Sequence, residues 1–139
     1  MAFLLDTCAL SELVAKRRNP QAVEAILTIP REDWFISVAT VGEIRRGIDQ
    51  SDDGERKQFL ETWFQEHILG IYIHKIIVFD VEEATAWGTL VATLRRKRLP
   101  MSIVDSLIAA TALVHGLTVV TRNEVDFAHS GVQVFNPWK

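Results

Sequence analysis

Phe3-Leu4-Leu5-Asp6-Thr7 is the stretch of sequence that decides the fold. Three consecutive apolar residues are typical of a short strand that is buried on both faces, as in parallel sheets covered by helices. Asp6 follows this strand directly, and apolar residues at helical spacing begin shortly afterwards, at Leu10 and Leu13. A strand that leads straight into a helix indicates an α/β protein with a mostly parallel sheet.

The rest of the chain repeats this alternation of strand and helix. Further strands are predicted at Trp34–Val38, Ile76–Phe79, Leu117–Val120 and Val132–Phe135. Helices are predicted at Ala9–Arg17, Gln21–Ile29, Thr40–Ile48, Glu55–Leu69, Val81–Arg98 and from Ser102 to about His115. The pattern contains no internal repeat or linker, so residues 1–139 are expected to form a single domain.

Composition limits the possible classes of protein. Hydrophobic residues make up 48% of the 139 residues and charged residues 24%, a balance typical of globular proteins. The single cysteine, Cys8, excludes an intrachain disulfide. No apolar run is long enough to span a membrane, and the N-terminus lacks the features of a signal peptide. We therefore expect a cytoplasmic protein, while the net charge of -3 neither supports nor excludes nucleic acid as a ligand.

Acidic residues stand where successive elements begin or end. Asp6 follows the first strand, Glu43 lies early in the helix after the second, and Asp105 opens a helix. Asn123 and Asp126 follow the fourth strand. Each has a purely structural alternative as a helix cap, a dipole partner or a turn residue. Because ligands bind at the carboxyl ends of parallel strands, four acids in such places predict a shared site. Clustered carboxylates repel one another, and Mg²⁺ or Mn²⁺ would offset that repulsion.

These motifs, in this order, resemble a known family. Leu4–Thr7, Val41–Ile48, Asp105–Ala112, Thr121–Asn123 with Asp126–Phe127, and the closing Val134–Trp138 are similar to the motifs of PIN domains of the bacterial VapC/FitB type. The resemblance covers nearly the whole chain. It implies a PIN-like α/β/α sandwich and a Mg²⁺- or Mn²⁺-dependent endoribonuclease that acts as the toxin of a type II toxin–antitoxin pair.

The resemblance also implies partners and residue roles. RNA is the implied substrate, and the implied partner is a small DNA-binding antitoxin that forms a hetero-oligomer with a homodimeric toxin. Asp6, Glu43 and Asp105 match the three main catalytic acids, with Asp6 and Asp105 as metal ligands. Many relatives have Asp at the position of Asn123, so Asp126 is the candidate fourth acid. Cys8 stands where relatives often have Asn.

Other functions remain open or are excluded by the sequence. A PIN-type nuclease that processes nucleic acid without a toxin role fits the same residues, and so does a catalytically weak binding module. A phosphoacceptor domain is disfavoured because paired N-terminal acids and a lysine after a late strand are missing. The histidines lack the spacing of a zinc site. The basic run Arg95–Arg98 is either a solvated helix end or a contact for RNA phosphates.

Overall fold

Five parallel strands form one sheet at the centre of the protein, in a computed structural model that describes all residues from 1 to 139. The strands are β1 (Phe3–Leu5), β2 (Trp34–Ser37), β3 (Ile76–Ile77), β4 (Thr118–Val120) and β5 (Val134–Phe135). Their order across the sheet is β3-β2-β1-β4-β5, and every pair is parallel. Phe3 lies opposite Trp34 on one side and Thr118 on the other. The prediction of a mostly parallel sheet is confirmed, and β1 lies at its centre.

Helices cover the sheet on both faces. They are α1 (Thr7–Glu12), α2 (Pro20–Leu27), α3 (Val38–Asp49), α4 (Gly54–Trp63), α5 (Val81–Arg96), α6 (Ile103–His115) and α7 (Glu124–Phe127). Short 3₁₀ turns at Arg31–Asp33 and Ile73–Lys75 precede β2 and β3. None of these helices has the length and apolar character needed to cross a bilayer.

The core is divided by the sheet into two parts. Leu5 belongs to the part formed with α1, α2, α3 and the segment after α4, whereas Leu4 belongs to the part formed with α5 and α6. Both leucines are fully buried, which is why the first strand is apolar at consecutive positions instead of alternating ones. This arrangement is the predicted α/β/α sandwich.

Two helices differ most from their predicted bounds, and the others shift by one or two residues at their ends. The helix predicted at Ala9–Arg17 begins at Thr7, because the side chain of Asp6 caps it, and ends at Glu12. The helix predicted at Glu55–Leu69 is α4 followed by π-helical turns over Phe64–Ile71. In those turns the side chains of Phe64 and Ile68 are buried in the same part of the core as Leu5.

One helix was not predicted. α7 is a single turn that follows β4, and Asp126 lies within it. The buried side chain of Phe127 anchors the turn in the core part formed with α5 and α6. The segment predicted only as a turn therefore presents Asp126 from a helix, at the same edge of the sheet as Asp6.

Candidate active site

Asp6 lies at the carboxyl end of the central strand. Its backbone N–H donates to the carbonyl of Val120 at 3.2 Å, which ties it to β4. Its side-chain Oδ1 accepts from the backbone N–H of Ala9 at 3.0 Å and so caps α1. Asp6 is therefore a helix cap, as the structural alternative proposed, yet it also stands at the edge of the sheet where parallel folds bind ligands.

The carboxylate of Asp6 is poorly solvated. The residue is only 5% exposed. Burial raises the pKa of Asp6 above its usual value, although hydrogen bonds from Cys8 and Thr121 oppose this increase. Because no cationic side chain pairs with Asp6, a bound cation would relieve the cost of its buried charge.

Cys8 takes part in this hydrogen-bond network. Its thiol donates to Asp6 Oδ1 at 2.9 Å, and its sulfur accepts from the backbone N–H of Arg122 at 3.3 Å. Burial, followed by the negative charge of Asp6, raises the pKa of Cys8 to about 12. The thiol thus supplies a hydrogen bond to the acidic site and stays protonated and unreactive at neutral pH. The sequence left open whether Cys8 makes such a bond.

Glu43 lies in the second turn of α3. The hydroxyl of Thr7 donates a short hydrogen bond to Glu43 Oε1, which links α1 to α3. Glu43 Oε2 lies 3.8 Å from Arg46 Nη2, one helical turn further along α3. Thr7, adjacent to Asp6 in the chain, therefore connects the first acid of the site to the second.

Asp105 lies close to the other three predicted acids. It lies in the first turn of α6, where Ser102 Oγ accepts from its backbone N–H at 3.2 Å. Burial is the main cause that raises the pKa of Asp105, and the negative charges of Asp126, Asp6 and Glu43 raise it further. The other three predicted acids thus lie close enough to Asp105 for their negative charges to act on it.

Asp126, the predicted fourth acid, lies beside Asp105. Asp105 and Asp126 line the same cleft, about 340 Å³ in volume, together with the loop from Leu99 to Ser102 and with His129. Asn123 is exposed, and its backbone N–H donates to Thr121 Oγ1 at 3.0 Å. Of the two candidates for the fourth acidic position, the geometry favours Asp126.

The donor set suits a hard divalent cation with a partly hydrated shell. The four side chains offer only carboxylate oxygens, which Mg²⁺ and Mn²⁺ prefer. No three His, Cys, Asp or Glu side chains lie close enough together to hold a metal ion by themselves. Mg²⁺ commonly binds through one or two carboxylates and keeps water or phosphate oxygens as its other ligands. That mode of binding needs no more carboxylates than Asp6 and Asp105, the two predicted ligands.

Basic side chains around the site differ in whether they are paired. Arg45 forms ion pairs with Asp49 at 2.5 Å and Glu61 at 2.6 Å, a structural link between α3 and α4. The exposed run Arg95–Arg98 ends α5 just before the loop that lines the cleft, and it forms no salt bridge. Arg122 is exposed and also lacks an ionic partner. Uncompensated positive charge therefore lies beside the acidic edge.

Residues 3–131 match the family model described as the PIN domain. The chain belongs to the PIN-domain family. Its similarity to other PIN-domain proteins extends over nearly its full length. It is 33% identical to the plasmid stability protein StbB of Pseudomonas syringae pv. tomato, over 98% of both chains. It is also 33% identical to the toxin FitB of Neisseria gonorrhoeae, over 97% of both.

A solved structure supports the same PIN fold. The crystal structure of FitAcB from Neisseria gonorrhoeae superposes with a TM-score of 0.91, at 32% identity, and the match covers 98% of each chain. A relative from Sinorhizobium fredii, 27% identical over 98% of this chain, is named a VapC ribonuclease. The family and the α/β/α fold implied by the sequence motifs are thus confirmed.

Proposed function

We propose that this PIN-domain protein is a metal-dependent endoribonuclease and the toxin of a type II toxin–antitoxin pair. The observation that carries the proposal is the convergence of Asp6, Glu43, Asp105 and Asp126 on one edge of the sheet, where each adds negative charge to the surroundings of Asp105. Relatives named as toxins and ribonucleases point to the same chemistry. Phosphodiester hydrolysis requires charge neutralisation and an activated water, and such a cluster provides the ligands for both.

The acidic residues of this site have two proposed roles, which are to bind a cation and to orient the attacking water molecule. Asp6 and Asp105 are the proposed ligands of Mg²⁺ or Mn²⁺. The bound ion would neutralise charge on the scissile phosphate and lower the pKa of the attacking water. Glu43 or Asp126 then orients that water and accepts its proton. The hydrogen bond from Thr7 fixes Glu43 Oε1, which leaves Oε2 to face the water or Arg46.

The proposed partners follow from the relatives. FitAB was solved as a pair bound to a DNA fragment, and the similar VapBC proteins of Salmonella typhimurium were also solved bound to DNA. We infer that this chain likewise assembles with a small DNA-binding antitoxin whose tail blocks the acidic site. We further infer a homodimeric toxin that acts on RNA in the cytoplasm, as a hetero-oligomer with the antitoxin when inhibited.

Cleavage of total RNA by the purified protein tests the nuclease. The wild type should give discrete products with Mg²⁺ or Mn²⁺ and none with EDTA. Asp6→Asn should abolish cleavage while keeping the cap of α1, because Asn is as good a cap as Asp. Asp52→Asn is the matched control, since Asp52 is exposed and makes no hydrogen bond. Equal cleavage by the wild type and Asp6→Asn would contradict the proposed site.

Expression in a bacterium separates the toxin role from a processing role. A toxin should arrest growth when induced, and Asp6→Asn should not. Coexpression of a DNA-binding protein encoded next to the gene should restore growth. Metal-dependent RNA cleavage without growth arrest would instead favour a nuclease that processes nucleic acid without acting as a toxin.

A further inference from the structure

The last residues of the chain fold back onto the loop that follows β4. Asn136 Nδ2 donates to Glu124 Oε1 at 2.8 Å and to the carbonyl of Arg122 at 3.4 Å. Lys139 Nζ lies 3.1 Å from the same carboxylate oxygen of Glu124. Trp138 is half-buried and packs against the core, with its backbone N–H donating to Asn136 Oδ1 at 2.9 Å. The C-terminal segment Asn136–Lys139 therefore has a fixed position on this loop.

That fixed segment provides a surface for the side chain of Arg122. The guanidinium carbon of Arg122 lies 5.5 Å from the centre of the Trp138 ring, within the range of a cation–π contact. Arg122 is exposed and forms no salt bridge. A guanidinium stacked on a ring keeps its N–H donors free along the edge of its plane.

The backbone of Arg122 is joined to the acidic site. Its N–H donates to the sulfur of Cys8, and the thiol of Cys8 donates to Asp6 Oδ1. The preceding residue, Thr121, is fully buried at the carboxyl end of β4. The backbone that carries this unpaired cation is therefore two hydrogen bonds away from the carboxylate proposed to bind metal.

We propose that Arg122 binds a backbone phosphate of the RNA strand next to the scissile one, and that Trp138 is the positioning residue that holds its guanidinium. This inference rests on the proposed nuclease function and adds to it a contact that sets the register of the strand. A planar guanidinium binds phosphate oxygens in a bidentate manner, and stacking limits the rotamer freedom lost on binding. Trp138 acts through Arg122 and does not contact the phosphate.

Equilibrium binding of mixed-sequence single-stranded RNA tests the proposal. All proteins carry Glu43→Gln and are studied in EDTA, so that binding is measured without cleavage. Arg122→Ala should weaken binding about tenfold. It should also reduce the slope of log Kd against log salt concentration by about 0.7, the value for one lost phosphate contact on a single strand.

Arg31→Ala is the matched control. Arg31 is also exposed and stacks on a tryptophan, with its guanidinium carbon 5.0 Å from the centre of the Trp34 ring. It lies before β2, at the amino ends of the strands and thus at the opposite edge of the sheet. RNA affinity and salt slope should be unchanged by this substitution.

Variants of Trp138 test the positioning role. Trp138→Leu keeps an apolar side chain against the core but removes the ring, so RNA affinity should fall about threefold through less favourable placement of Arg122. Trp138→Phe restores a ring and should restore the affinity. Neither change should alter affinity when Arg122 is already Ala.

The outcomes separate this proposal from the nuclease function. An unchanged affinity and salt slope for Arg122→Ala, in a protein whose wild type cleaves RNA, would overturn the role of Arg122 alone. If Arg122→Ala leaves RNA binding unchanged but weakens binding of polyglutamate, Arg122 contacts an acidic protein partner, and the proposal is also overturned. Absence of RNA binding by the Glu43→Gln protein, while the wild type cleaves RNA with metal, would overturn the role of Arg122 alone. Absence of both RNA binding and metal-dependent cleavage would refute both proposals together.

Discussion

Asp6→Asn is expected to abolish activity and, in the absence of metal, to make the protein more stable. The carboxylate is 5% exposed, and burial raises its pKa in the folded state. The carboxyl group of Asp6 therefore binds its proton more tightly in the folded protein than in the unfolded chain. As a result, the free energy of unfolding decreases as the pH rises through the folded-state pKa of Asp6. Asparagine removes the buried charge and keeps an oxygen that accepts from the N–H of Ala9.

The expected gain is that of removing an uncompensated charge from a functional site, about 1–2 kcal/mol in the free energy of unfolding at neutral pH. For a chain of 139 residues each kcal/mol corresponds to a rise in Tm of about 3 °C. The difference in Tm between the two proteins should decrease as the pH is lowered, because the protonated side chain of Asp6 in the wild type is then uncharged, as the side chain of Asn is.

Divalent metal should reverse the order of stability. At a Mg²⁺ or Mn²⁺ concentration 100 times the Kd, the wild type gains about 2.7 kcal/mol by mass action, whereas Asp6→Asn gains much less because it lacks a proposed ligand. Differential scanning calorimetry in EDTA and in excess metal, with Asp52→Asn as the control, measures both effects. A lower Tm for Asp6→Asn than for wild type in EDTA at neutral pH would refute the reasoning, and so would equal gains from metal.

Three further predictions concern neighbours of Asp6. Thr7→Val should reduce the rate of RNA cleavage about tenfold through loss of its hydrogen bond to Glu43, with folding judged by circular dichroism and the rate restored in Thr7→Ser. Cys8 should resist thiol-modifying reagents at neutral pH until the protein is unfolded, because its pKa is about 12; rapid modification of the folded protein would contradict this. Asp126→Asn should lower the pKa of Asp105 only part of the way to its usual value, since burial is the larger cause; carboxyl NMR titration measures the change.

The parallel sheet and the order of strands and helices along the chain could be predicted from local sequence, because a strand that is buried on both faces is a run of consecutive apolar residues. Leu4 and Leu5 pack into different parts of the core, so both positions must be apolar, and the run Phe3-Leu4-Leu5 shows this in the sequence. The acids were predictable for a related reason, since the end of such a strand marks the edge where ligands bind.

Features that depend on distant packing could not be predicted in this way. α7 is too short to show a helical period in the sequence. Its position depends on Phe127, which is buried in the core part formed with α5 and α6. The π-helical turns place Phe64 and Ile68 in the core, but the same spacing of four residues also fits an ordinary α-helix. The thiol of Cys8 donates to Asp6, and its sulfur accepts from the backbone N–H of Arg122, which lies more than a hundred positions away in the sequence.

The central place of β1 has a consequence for how the protein is made. β1 is synthesised before the other strands of the sheet, yet it pairs with β4, whose residues Thr118–Val120 follow more than a hundred positions later in the sequence. The backbone N–H of Asp6 finds its partner only in Val120. A growing chain that has not yet reached that residue has Asp6, Glu43 and Asp105, but it lacks Asp126 and the strand that holds Asp6 in place. No complete site is therefore expected before β4 has been synthesised, and fragments that end before β4 should not cleave RNA.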